Sequence, residues 1–317
     1  MTVRPAQTAS TTRRSAGRRA GLGGLWVLLL LTVALMAYSA ISGMGDLTRE
    51  PAPAPRPVLP PTALGVDASW PTCAHPNEPA GPAFAIVGIN NGTPGTRNPC
   101  LTAQLRWAAG AVGGSAQPST AFYVMAADPF RAWERKYTKP VWPHSATAHG
   151  VRVAVPSAYG TACHGAHTSA ACAYVFGWSA GYRSAHLHGI TDAAAHRYWI
   201  DVEMLRDWSH HTRFNQAIIE GMAAYLGGPT AAGGLGAEVG LYSNDQFWSA
   251  IVGELRTGSP LVGLDEWQPI GPATRQQAAA SLASATPFHT GGRVRIVQYV
   301  ADGVDMNVAP LAGAAAN

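Results

Sequence analysis

Two carboxylates one residue apart close the apolar run Tyr198-Trp199-Ile200-Asp201-Val202-Glu203. Tyr, Trp, Ile and Val favour a pleated, buried strand, and a strand carries residues i and i+2 on one face. Asp201 and Glu203 are therefore expected to point the same way, about 6.5 to 7 Å apart at Cα for a rise of about 3.3 Å per residue. Carboxylates that share a site repel, and one of them holds its proton to higher pH. That arrangement makes a general acid beside an anion. The competing reading is a strand end whose acids meet solvent or cap the following helix.

A pair of this kind needs a scaffold, and the flanking sequence supplies alternating elements. Residues 64–69 and 84–90 read as strands, the second wholly apolar, as suits a parallel strand covered on both faces. Residues 99–109 have helical spacing, with Asn98 available as a cap, and 120–126 read as a third strand. Residues 129–168, rich in Pro, Gly, His and Trp, read as irregular loop. Helices follow at 169–188, at 215–226 where Gly227-Gly228-Pro229 stops the chain, and at 245–255. Strands are expected at 198–203, at 239–243, at 261–264 running on to 265–268, at 293–300 and at 304–307. About eight strands in roughly 250 residues, most separated by helices, indicate a single α/β domain built as a (β/α) barrel. An open doubly wound sheet is the alternative, and no Gly-x-Gly-x-x-Gly turn follows the first strand. In a barrel, reactive groups gather at the carboxyl ends of the strands. Asp67, Asp201, Glu203 and Asp305 all read as lying at such ends, in a chain where only 13% of residues are charged.

The ends of the chain bear on where this domain works. The net charge is +4, but Arg4, Arg13, Arg14, Arg18 and Arg19 fall in residues 1–24 with no acid, so without that tail the balance is −1. No basic patch interleaved with aromatics remains, which argues against nucleic acid. The tail runs into an apolar segment, 25–41, of about the least length that spans a bilayer. Arginine before it predicts that the N-terminus stays inside and the rest is exported. We read 25–41 as a transmembrane anchor in preference to a cleaved signal, 42–63 as a Pro-rich linker off the membrane, and 64–311 as the barrel domain. The expected place is the cell membrane with an external domain, or secretion if the segment is cleaved. Four cysteines suit an oxidising exterior; Cys73 with Cys100 and Cys163 with Cys172 are nearest in sequence, among three pairings. A zinc site from the four is disfavoured, since no Cys-x-x-Cys occurs.

Five segments in order resemble the family 25 glycoside hydrolases, the lysozyme-like muramidases. They are Gly65-Val66-Asp67-Ala68-Ser69, Ile200-Asp201-Val202-Glu203, Gly240-Leu241-Tyr242-Ser243, Gln298-Tyr299 and Val304-Asp305-Met306-Asn307. The resemblance spans residues 64–309. It implies an irregular TIM-like barrel whose last strands follow one another with few helices, and peptidoglycan as the partner. It implies Glu203 as proton donor, Asp201 and Asp305 as supports for positive charge on the sugar or for its N-acetyl group, and Asp67 as holder of the network. Gln298 becomes a candidate for substrate binding, and Tyr242, Trp267 and Tyr299 candidates for stacking on sugar. Asn90-Asn91-Gly92 stands where the family commonly has a Lys-Ala-x-Glu-Gly-like segment. Tyr123-Val124-Met125 replaces a Tyr-His-Phe-like run, and Val297 replaces an aromatic. These departures reshape the sugar groove.

Other chemistries fit less well. Eleven histidines are present, densest at His186-Leu187-His188 and His210-His211, but neighbours on a strand face apart and alternate helical residues lie about 200° apart. They read as surface histidines, and no metal or cofactor is expected. No Gly-x-Ser-x-Gly elbow points to a serine hydrolase. Two readings stand: an exported hydrolase of cell-wall polysaccharide, and an inactive wall-binding or scaffold protein on the same barrel.

Overall fold

The computed structural model describes residues 59–74, 77–131, 141–160, 162–203 and 207–314. The basic tail, the apolar segment 25–41 and most of the Pro-rich linker lie outside them. Among the described residues no helix is long and apolar enough to cross a membrane.

Eight strands close a barrel. Six run in parallel order around it: β1 (Thr62–Ala68), β2 (Phe84–Gly88), β3 (Thr120–Met125), β6 (Arg197–Asp201), β7 (Glu238–Tyr242) and β8 (Asp265–Pro272). β9 (Arg293–Ala301) joins β8 in parallel, and β10 (Val304–Pro310) turns back to pair antiparallel with both β9 and β1. The remaining strands, β4 (Thr147–Ala148) and β5 (Val151–Arg152), form a two-stranded ribbon inside the segment expected to be irregular.

Helices accompany the barrel, among the described residues α1 (Leu101–Ala108), α2 (Ala170–His186), α3 (Thr212–Leu226), α4 (Asp245–Ile251) and α5 (Arg275–Ser284). Short polar caps start several of them. The Ser169 side chain accepts from the Cys172 N–H, Asn244 from Phe247, and Thr274 forms a reciprocal capping box with Gln277. α2 and α3 pack backbone to backbone. A Cβ at Gly177 would overlap the Ile218 carbonyl, and one at Gly221 the Tyr174 carbonyl, so only glycine permits this approach. Alternation along each strand divides the core. Phe122, Val124, Tyr198 and Ile200 face the helices, whereas Phe84, Ile86, Trp199 and Trp267 fill the barrel interior.

Several expectations are corrected. Leu261-Val262-Gly263-Leu264 is a turn, not a strand: Gly263 has φ +79° and the Leu264 N–H returns to the Leu261 carbonyl at 3.3 Å. The strand begins only at Asp265. α4 stops at Ile251 instead of Leu255. Asn98 does not cap α1, whose N-cap is Cys100; its side chain instead accepts from the Cys100 N–H at 3.0 Å and donates to the Gly88 carbonyl at 2.7 Å. Both nearest-neighbour cysteine pairs are disulfides, Cys73–Cys100 and Cys163–Cys172.

Candidate active site

The carboxyl ends of the parallel strands surround a cleft of about 470 Å³ that Asp67, Asp201, Glu203 and Asp305 all line. Asp67 is the penultimate residue of β1 and Asp201 the last of β6. Glu203 stands two residues past the end of β6, where the alternation persists. Val202 turns out into the helix-facing core while Asp201 and Glu203 both face the cleft. The chain is fixed there by the Val202 N–H on the Tyr242 carbonyl (2.9 Å), the Ser243 hydroxyl on the Val202 carbonyl (2.7 Å) and the Trp208 indole on the Glu203 carbonyl (2.8 Å). Asp305 is near the start of β10, not the end of a strand. It reaches the same face because β10 runs antiparallel to its neighbours.

Asp67 is the best-anchored of the four. The Asn307 amide donates to its Oδ2 at 2.7 Å, and the Gln298 amide reaches both of its oxygens at 3.1 and 3.0 Å. Both amides are oriented from behind, Asn307 by the Trp267 indole N–H (2.8 Å) and Gln298 by the Tyr242 hydroxyl (2.8 Å). Since an indole N–H can only donate, the Asn307 oxygen must face Trp267 and its NH2 must face Asp67. Burial pushes the Asp67 carboxyl well above its usual range, and the Asp305 charge adds to this, while the two amides pull the other way.

Burial acts on the acid pair as well. Asp201 is 3% exposed, and its Oδ1 has no hydrogen-bond partner among the described residues. Burial, then the charges of Glu203 and Asp67, raise it well above the carboxylate range. Glu203 is half-buried and therefore the more accessible of the two. Burial raises it too, followed by the charges of Asp305 and Asp207. Asp305, exposed at the rim, is raised by partial burial.

The predicted binding residues divide. Gln298 and Tyr242 line the cleft, but as members of the hydrogen-bonded network under Asp67. Trp267 is 1% exposed and forms the floor, edge-on to Tyr242. Tyr299 is not in the site. Strand alternation that turns Gln298 inward turns Tyr299 outward, where it packs with Ala278, Val297 and Val308 beneath α5. Several cleft residues were missed, Tyr123, Trp70 and Asp207 among them. Tyr123 lines it, and burial followed by the Asp201 charge pushes its phenol well above 10, so it remains a donor. The alternation Tyr123, Met125 against Phe122, Val124 could have revealed it. Trp70 and Asp207 also line the cleft, and neither carried a sequence signal.

Among the described residues no group of three or more His, Cys, Asp or Glu is arranged to hold a metal ion. His186, His210 and His211 are exposed as expected, but His188 is buried at 6% exposure, the chain turning inward after α2. Neither a family model, nor a curated protein, nor a solved structure matches this chain.

Proposed function

We propose that the chain is an exported glycoside hydrolase of the lysozyme-like kind, acting on peptidoglycan or a related cell-wall polysaccharide. Its barrel would be the irregular TIM-like form of the family 25 enzymes it resembles. One observation carries this reading: carboxyls from β1, the end of β6 and β10 line a single cleft, and burial raises every one of them. Glycoside cleavage needs a carboxyl that still holds its proton and a carboxylate that faces the developing positive charge. Glu203 suits the first role because it is both raised and accessible. Its proton passes to the glycosidic oxygen as the bond to the anomeric carbon breaks. Asp67, held as an acceptor by two oriented amides, and Asp305 lie on the same cleft to offset the sugar's positive charge, and water supplies the new hydroxyl. The buried Asp201 would orient the N-acetyl group. The two disulfides suit an oxidising exterior, and residues 25–41 would tether the domain to the cell membrane.

The test is release of soluble muropeptides from purified peptidoglycan by the protein and by its Glu203→Gln variant. We expect the variant to lose about 10²- to 10⁴-fold of the rate, the range attached to a general acid. No release by either protein, with retained sedimentation on peptidoglycan, would favour the inactive wall-binding reading instead.

A further inference from the structure

A cleft that holds a sugar chain needs an aromatic side chain that reaches it from an exposed position. The stacking residues suggested by the resemblance do not provide one, since Tyr242 and Trp267 are buried at 8% and 1% exposure and Tyr299 packs elsewhere. Trp70 lines the same cleft and is 37% exposed. It opens a short 3-10 turn, Trp70–Ala74, directly after the strand that carries Asp67.

This turn is tied to α1 at several points. Cys73 is bonded to Cys100 at the head of α1. From within α1, the Gln104 amide donates to the Ser69 carbonyl at 2.8 Å and to the Thr72 hydroxyl at 3.1 Å, and the Thr72 hydroxyl donates to Glu78 at 2.6 Å. Gln104 is itself fixed by the Asn98 amide at 2.7 Å. An exposed indole costs solubility, and a covalent staple that fixes where it stands has a purpose if the ring must meet a ligand in one orientation.

We propose that Trp70 is a saccharide-stacking wall of the cleft, positioned by the Cys73–Cys100 disulfide and the Gln104 hydrogen bonds. Its flat apolar face would take the C–H face of a hexose bound beside the carboxyls. This rests on the saccharide reading of the cleft, but not on the cleft being catalytic.

The test uses the full-length Glu203→Gln protein, which cannot consume its ligand by the proposed route, and the tetramer of N-acetylglucosamine as probe. Binding is measured by calorimetry with Trp70 intact, with Trp70→Phe and with Trp70→Ala. We expect Trp70→Ala to weaken binding about tenfold, as loss of an aromatic contact does, and Trp70→Phe to retain most of it. Binding by Trp70→Ala within twofold of the parent overturns the proposal, as does absence of binding by all three proteins. Tight binding of the tetramer that depends on Trp70, in a protein whose unmutated form releases no muropeptides, would refute hydrolysis and leave the stacking wall standing.

Discussion

Replacing Asn307 by Leu separates the ionised from the protonated state of Asp67 without replacing a residue that lines the cleft. Asn307 is fully buried and similar in size to leucine. The substitution removes the 2.7 Å bond to Asp67 and leaves the Trp267 indole N–H, now 2.8 Å from nothing polar, unsatisfied. An unpaired buried donor costs about 1 to 3 kcal/mol at any pH. The bond to Asp67 contributes about 1.5 to 3 kcal/mol while the carboxyl is charged, and about 0.5 to 1.5 when it is neutral. The loss should therefore be about 1.5 to 4.5 kcal/mol at pH 4 and about 2.5 to 6 at pH 9. The sign follows from linkage. The amide favours the charged carboxyl, so its removal raises the folded-state value further, and the variant falls behind the parent as pH rises through that value. The pH-dependent part, about 1 to 1.5 kcal/mol, corresponds to about 2 to 6 °C in melting temperature for a domain of this size. Thermal denaturation of both proteins at the two pH values reads it directly. An equal loss at pH 4 and pH 9 would mean that Asp67 does not titrate between those values, and would refute the reasoning.

Other outcomes follow from the same geometry. If Glu203 is the donor, the rate against pH should be bell-shaped, and Asp305→Asn, by removing a charge that raises Glu203, should move the alkaline limb to lower pH; an unmoved limb would assign it to another group. Asp201→Asn should stabilise the fold at pH 8 more than at pH 4, because a carboxyl raised by burial binds more protons folded than unfolded and loses stability as pH climbs through its folded value; urea unfolding that shows no gain at pH 8 would contradict its burial as an unpartnered acid. Gly221→Ala should cost about 3 kcal/mol, since the added methyl meets the backbone of α2 and not a movable side chain, again read by urea unfolding. Removing the Cys73–Cys100 disulfide, of separation 27, should cost about 1 kcal/mol more than removing Cys163–Cys172, of separation 9, by the loop-entropy relation.

The sequence disclosed those parts of the molecule in which a local pattern coincides with a tertiary demand. β2 is buried at every residue and reads as a continuous apolar run; α3 ends at Leu226, directly before the diglycine that was expected to stop it. The pair Asp201 and Glu203 was legible because period-two alternation outlasts the strand by two residues. What escaped depends on pairing between distant segments. Leu261-Val262-Gly263-Leu264 has strand composition but a left-handed glycine, and only its closure against Thr290 and Leu264's return to Leu261 make it a turn. α5 buries only Ala278 and Ala279, so it has almost no apolar stripe to read, although Thr274 and Gln277 carried its start signal. The same limit explains the errors in the site. Tyr299 and Gln298 are adjacent and one of them had to face outward; alternation excludes both lining the cleft, but only the bond from Gln298 to Asp67, 231 residues away, says which. Asp305 was placed at a strand end and is at a strand beginning, yet it reaches the cleft because the chain reverses direction at Asp302-Gly303. A carboxylate position that serves a barrel from an antiparallel strand has no signature in hydropathy. It becomes visible through the identity of its neighbour two residues on, Asn307, whose burial beneath Asp67 ties the last strand to the first.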